Sequence, residues 1–434
     1  MIKKVLGTFG SRVFCTLIAF GIVIINSQVF GSSGLGTIGL FILGITILQN
    51  LTSFVGGPSL VYMLPRYDTF QLMFLSYVFH IIINIIGTLF LYAFHLIPTE
   101  YVWPLFFSSL FFSVYYINSQ LILSNEQIKA YNILAIIQII IQLGLMVVLL
   151  FVVKIKDVSS YIYAYLISYI VVAILGFILA WNKLLFKGFT NIFSVLKQML
   201  IYGFTIQAAN FAQLLNYRLS YYIIEFCSGR KALGLFDLGT KLSEAVWILP
   251  KSMSTVQYAR LSNCKGNKRY AKKLTLAFLK MAFIFALCAT LILICIPSAW
   301  IGWIFGGEFM ESKSVIYALA LGIVILSCNV ILSHYFSGFG KYKINTISSL
   351  IGLGITIGLG VSLISRFQQM SYTEVIFIMA WISSISYVGS FIWSFIYFIR
   401  TAKVKLSDLR IDKQDIKFLR SELKKILKNR SEER

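Results

Sequence analysis

Charge is scarce in this 434-residue chain. Only 12% of its residues are charged and 58% are hydrophobic, whereas soluble domains carry about 25% charged residues. A soluble fold has nowhere to hide that much apolar surface, but a bilayer acts as its solvent. Acids are scarcer still, 16 against 38 lysines and arginines. They form no paired-carboxylate motif, which argues against a membrane enzyme such as a polymerase or glycosyltransferase. The six cysteines, Cys15, Cys227, Cys264, Cys288, Cys295 and Cys328, form no CxxC or Cys/His pattern. Neither a disulfide framework, nor a metal site, nor a cofactor is expected. The three histidines, His80, His95 and His334, are scattered. Long polar linkers are also missing, so no sizeable soluble domain is inserted.

What is present is a series of apolar runs. A membrane helix needs about 20 mostly apolar residues, and twelve stretches qualify: 10–30, 37–60, 70–95, 101–123, 131–153, 159–182, 200–226, 232–256, 274–297, 314–337, 344–365 and 374–399. Lys3 and Lys4 precede the first run, which lacks a cleavage site and reads as a membrane helix. The net charge of +22 would suggest nucleic acid in a soluble protein, but here the basic residues sit between the apolar runs. With the N-terminus inside, 29 of them fall on cytoplasmic segments and 6 outside (Lys154, Lys156, Arg230, Lys231, Lys313 and Arg366). The positive-inside rule then places both termini in the cytoplasm, and no nucleic-acid partner is expected.

The expected fold is an all-α membrane protein of twelve helices in two six-helix lobes, 1–190 and 191–400, followed by a basic tail over 401–434. Residues 39–44 (Gly-Leu-Phe-Ile-Leu-Gly) and 234–239 (Gly-Leu-Phe-Asp-Leu-Gly) match at an offset of 195. Each match opens the second helix of a half, as an internal repeat about an axis along the membrane normal requires. In the tail, Ile416, Leu419, Leu423 and Ile426 follow helical spacing and predict an amphipathic surface helix over 412–428.

Ionisable residues at membrane depth are costly and usually face a cavity or a partner. In the eighth run Asp237, Lys241, Glu244 and Lys251 fall within a sector of about 80°. Asp237 and Lys241 are four apart, and Lys241 and Glu244 three apart, so local pairing competes with a role in binding a coupling cation. In the seventh run Gln207, Asn210, Tyr217, Arg218 and Tyr221 cover about 100°. Arg218 has the bidentate fork that suits a phosphate, and the tyrosines suit stacking on sugar rings or interhelical packing. In the first run Arg12, Thr16, Asn26 and Ser27 share a face of about 100°. Arg12 reads either as an interfacial anchor or as a headgroup-capturing cation. The four cations Arg12, Arg218, Lys241 and Lys251 outnumber Asp237 and Glu244, which favours an anionic cargo over a cationic one.

The run Gly-Ser-Ser-Gly-Leu-Gly-Thr-Ile-Gly-Leu-Phe at 31–41, Gly-Gly-Pro-Ser-Leu at 56–60 before Arg66 and Tyr67, and Ala-Leu-Gly-Leu-Phe at 232–236 resemble bacterial polysaccharide flippases of the Wzx, or O-antigen, type. These belong to the multidrug/oligosaccharidyl-lipid/polysaccharide exporter superfamily, which also contains the MATE transporters. The resemblance implies a V-shaped, MATE-like fold in a bacterial inner membrane. It implies an undecaprenyl-pyrophosphate-linked oligosaccharide as cargo, with membrane lipid and other polysaccharide-assembly proteins as partners. On the same fold, the alternative is a drug or cation antiporter.

Overall fold

The computed structural model describes residues 2–64, 66–125, 127–181, 189, 191–262 and 267–410. The amphipathic tail helix expected over 412–428 lies outside the described residues.

Fourteen α-helices follow one another among those residues. They are α1 (Ile2–Gly56), α2 (Pro58–Met63), α3 (Thr69–Ala93), α4 (Val102–Ser124), α5 (Ile128–Val147), α6 (Ser159–Trp181) and α7 (Ile192–Glu244). Then come α8 (Ile248–Ser262), α9 (Lys268–Cys295), α10 (Ser298–Phe305), α11 (Ser312–Gly338), α12 (Tyr342–Ser362), α13 (Ile364–Phe367) and α14 (Tyr372–Ala402). Ten helical stretches are long and apolar enough to cross a membrane, where the sequence predicts twelve. The difference arises at two places. Gly10–Gly56 and Ile192–Tyr258 are each continuous, because a single positive-φ glycine bends the helix where a loop was expected. These are Gly31 (φ 65°) and Gly229 (φ 75°). The chain is a multi-pass membrane protein.

The helices are built inside-out relative to a soluble bundle. On α3 the buried positions include Gln71, Ser76, His80, Asn84 and Thr88, while Ile81, Ile82, Ile85, Ile86 and Leu89 are exposed. Lipid solvates the aliphatic face, so polar groups must find partners inside the protein. Asn84 does so by donating to the His80 carbonyl at 2.8 Å and the Ser113 hydroxyl at 3.2 Å, and by accepting from the Ser109 hydroxyl at 2.6 Å.

The chain divides into two compact units. The first comprises Met1–Leu214, Gly229–Leu235 and Gly302–Glu308. Its core joins Phe41 and Leu48 of α1 to Leu105 of α4, Met146 of α5 and Ile162 of α6. A second cluster sets Val55 of α1 and Leu72 of α3 with Ile117 of α4 and Met199 of α7. The second unit comprises Leu215–Ser228, Phe236–Ile301 and Phe309–Arg434. Its core joins Leu274 of α9, Ile331 and Phe336 of α11, and Phe398 of α14. Small polar residues let α14 approach its neighbours closely. Ser384 donates to the Ala318 carbonyl at 2.6 Å, and Ser394 to the Ser348 hydroxyl at 3.0 Å. Lys313, a topology charge in sequence terms, turns inward: its ammonium donates to the Leu293, Ile294 and Ile296 carbonyls at 2.9, 2.8 and 2.6 Å. These lie at the C-terminus of α9, where helix carbonyls lack partners of their own.

Beyond the second unit's core, Lys272 of α9 holds the segment after α14. It bonds the Lys403 carbonyl at 2.8 Å and the Asp408 carboxylate at 2.7 Å. The hydrogen bond from Lys272 holds the Asp408 carboxyl below its ordinary range.

Inside the first unit the α1 and α7 backbones touch. A methyl group on Gly234 would fall on the Ser32 carbonyl, and one on Gly36 on the Arg230 carbonyl. Backbone cannot move aside as a side chain does, so Gly234→Ala is expected to cost at least about 2 kcal/mol. Gly354→Ala on α12 has no atom within 4 Å to meet and is expected to be neutral, or stabilising by up to about 1 kcal/mol. Thermal stability of the two purified variants in detergent checks the contrast; equal behaviour would mean the helices separate freely there.

Candidate functional site

Four charged residues of α7, Arg218, Asp237, Lys241 and Glu244, form one network in the second unit. Arg218 sets its guanidinium 2.9 Å from Glu244 and donates to the Tyr221 hydroxyl at 3.0 Å. Tyr221 in turn donates to Asp237 at 2.9 Å, and Asp237 pairs with Lys241 at 2.7 Å, one turn along. The guanidinium also lies 5.1 Å from the Tyr221 ring centroid, within cation–π reach. Two cations and two carboxylates therefore balance within the network.

Local backbone explains how they meet. Arg218 and Tyr221 precede the Gly229 bend, and Asp237, Lys241 and Glu244 follow it. The bend turns the second part of α7 back so that its polar stripe faces Arg218. Glu244 pairs with Arg218 rather than with Lys241, the neighbour the sequence spacing offers. Desolvating such a group without a partner is costly, and a buried ion pair is tolerated only when its geometry satisfies both members. Asp237 and Tyr221 are each 2% exposed, so neither offers a surface to a ligand in this conformation.

The remaining residues sort by place. Tyr217 is half-buried, edge-on to Tyr387 at 5.4 Å and tilted against Trp247 at 5.5 Å. Gln207 is buried and accepts from Asn210 at 2.6 Å in the first unit. Asn210 is exposed, as are Arg12 and Lys251, so the excess of two positive charges rests on Arg12 and Lys251, outside the paired network. The Arg12 carbonyl accepts from Thr16 at 2.8 Å. Asn26 is 1% exposed, and its side-chain oxygen has no hydrogen-bond partner. Such an orphaned acceptor carries a penalty of about 1–3 kcal/mol.

Tyr387 and Trp247 were not singled out by the sequence, nor was Asn216. Asn216 is 3% exposed and accepts from Thr356 at 3.4 Å and Ser386 at 3.1 Å. A second asparagine in the run that already holds Asn210 was the only signal for it. Among the described residues no three His, Cys, Asp or Glu side chains gather as metal ligands, and Cys15, Cys227, Cys288, Cys295 and Cys328 are free.

This fold is that of the transporters of the MOP superfamily. The chain is similar to the lipid II flippase MurJ in an inward closed conformation, with a TM-score of 0.69 at 14% identity over 94% of this chain and 89% of that one. It is similar also to an inward-facing multidrug resistance MATE transporter, with a TM-score of 0.68 at 14% identity, covering 90% of this chain and 95% of that one. Residues 69–314 match the polysaccharide biosynthesis protein family, and the chain belongs to that family. A capsular polysaccharide biosynthesis protein, CapF of Staphylococcus aureus, is 22% identical over 201 residues, which is 46% of this chain. The match spans about half of that relative, 51% of its length.

Proposed function

We propose that this protein is a flippase that carries a lipid-linked oligosaccharide, borne on undecaprenyl pyrophosphate, across the bacterial cytoplasmic membrane by alternating access. It acts without catalysis, as one step of surface polysaccharide export. The observation that carries this reading is membership of a polysaccharide biosynthesis family on a transporter fold. The chain would cross the membrane twelve times with both termini inside. At 1.5 Å per residue a 47-residue helix such as Gly10–Gly56 is about 70 Å long, more than two hydrocarbon thicknesses of about 30 Å each. Gly31 and Gly229 would mark the two reversals, and the halves 1–190 and 191–400 the two moving lobes.

In this reading Arg218 meets the pyrophosphate after exchanging Glu244 for it. Arg12 and Lys251 draw the headgroup in. Asn210 and Tyr217 contact the sugars, Gln207 and Asn26, both buried, join them on rearrangement, and Lys241 adds charge beside Asp237. Tyr221 holds the network and becomes available only on rearrangement. A drug or cation antiporter needs carboxylates free to take a cation, and Asp237 and Glu244 are paired with the chain's own cations. A polymerase or glycosyltransferase needs presented catalytic acids, and the acids of the outer connections are engaged: Glu100 with Arg230, Glu308 with Ser32, Asp157 with Ser159, Glu311 with Tyr372 and Glu374 with Ser371.

Deleting the gene is expected to accumulate the lipid-linked saccharide on the inner leaflet; accumulation on the outer leaflet would instead place the protein at polymerisation. Topology reporters fused after Lys129 and Asn267 should read cytoplasm, and those after Lys156 and Arg230 outside. An external signal at Asn267 would overturn the twelve-crossing arrangement.

A further inference from the structure

Each of the two bends of the first unit is tied to a distant connection by matching polar contacts. Beyond the Gly31 bend, Ser32 gives its backbone N–H to one Glu308 oxygen at 2.6 Å and its hydroxyl to the other at 2.7 Å. The N–H groups at the start of a helical segment lack intrahelical partners and carry partial positive charge, so a carboxylate there is held firmly. Two more contacts fix the Glu308 segment on α1: Gln28 donates to the Ile304 carbonyl at 2.7 Å, and Phe20 lies edge-on to Phe305 at 5.7 Å. Beyond the Gly229 bend, Arg230 pairs with Glu100 and lies 3.4 Å from the Thr37 hydroxyl. Glu100 sits on the short connection before α4, and Glu308 on the one before α11. Each bend is thus gripped by a carboxylate from a connection distant in sequence, 276 residues from Ser32 and 130 from Arg230.

Between the grips, the backbones at Gly36 and Gly234 meet without side chains. Such a seam supplies packing but no directional bond of its own, so the polar contacts decide whether it stays shut. Glu308 and Glu100 are also two of the few acids in the chain's connections, and no spacing motif marks either of them.

We infer that Glu308 and Glu100 are the two arms of a polar latch that holds the Gly31 and Gly229 bends together, and that both arms release when the transport path opens on that side. This gating role rests on the alternating-access reading above. The latch itself is read without any cargo. The two arms act on one equilibrium between latched and parted bends, so losing both shifts it further than losing either.

The test places spin labels at Ser33 and Lys231, both exposed and each adjoining one arm, in an otherwise cysteine-free chain in lipid nanodiscs. The unsubstituted latch is expected to give one short label separation by electron paramagnetic resonance. Glu100→Ala with Glu308→Ala should raise a longer-separation population relative to the short one by about tenfold, equivalent to about 1.4 kcal/mol. Ser32→Ala, which keeps the backbone N–H bond, should give a smaller rise than Glu308→Ala. The exchange Glu100→Arg with Arg230→Glu should return the short separation that Glu100→Arg alone loses. A separation unchanged in the double alanine variant, or an exchange no better than the single change, overturns the latch. Neither outcome touches the leaflet experiment, so the flippase reading and the latch fail separately.

Discussion

Arg218→Ala is expected to lower the yield of folded protein severely, by about 3–5 kcal/mol of stability. Its guanidinium is the partner of Glu244, whose side chain is only 15% exposed. Removing it leaves that carboxylate desolvated and unpaired, and takes a donor from Tyr221 as well. From the sequence alone the variant is expected to spare folding and lose transport. The ion pair reverses the order of the two effects. Arg218→Lys keeps the charge but lacks the planar fork that reaches Glu244 and Tyr221 together, so about 1–2 kcal/mol should be lost. Arg218→Met with Glu244→Leu removes both charges and should recover most of the folded protein. Thermal melting of the purified variants gives the cycle, and a coupling below about 0.5 kcal/mol would mean the pair contributes little. The recovered double variant then isolates function. Flipping of a lipid-linked saccharide reduced at least about tenfold in it, or about 1.4 kcal/mol, supports phosphate binding by Arg218. Flipping at the full rate rules that role out.

This pairing was hidden from the sequence for a definite reason. Helical periodicity assigns faces only while each residue adds about 100°. Gly229, at φ 75° and ψ −177°, breaks that phase, so the stripe before it and the stripe after it cannot be aligned by counting. Within each stripe counting works: Asp237 and Lys241 pair as their spacing of four predicts. The internal repeat shows the same effect. The hexapeptides match at an offset of 195, whereas the bends at Gly31 and Gly229 stand 198 apart. The difference of three residues is close to one helical turn, so the matching letters occupy successive turns rather than equivalent positions.

The apolar runs were legible because lipid demands them, and the multi-pass fold follows. The two continuous helices were not. Gly-Ser-Ser-Gly at 31–34 has loop composition, yet only Gly31 leaves helical backbone, and hydrogen bonding resumes at once. The latch carboxylates were legible as acids but not as contacts, since nothing in local spacing relates Glu308 to Ser32.

Asp237→Ala is expected to be the other severe change, at about 2–3 kcal/mol. Tyr221, itself 2% exposed, loses the acceptor of its hydroxyl, and Lys241 loses its counter-ion. The damage is smaller than at Arg218 because the Lys241 side chain, 37% exposed, can turn toward water. Asp237→Asn keeps an oxygen for Tyr221 and should cost about half as much. Neutralising Asp237, Lys241 and Glu244 together is no longer a balanced change, because it strands Arg218. The balanced change is Asp237→Asn with Lys241→Met, which leaves the Arg218–Glu244 pair whole. If Asp237 serves only to neutralise Lys241, this double variant should fold and flip with the unaltered protein's dependence on a proton or sodium gradient in proteoliposomes. If Asp237 exchanges Lys241 for a coupling cation, the double variant should fold, still flip down a cargo gradient, and no longer respond to the ion gradient. The short Asp237–Lys241 contact and the burial of the carboxylate favour neutralisation: a cation site must shed its resident ammonium each cycle, and Glu244, the other carboxylate within one turn of Lys241, already holds Arg218.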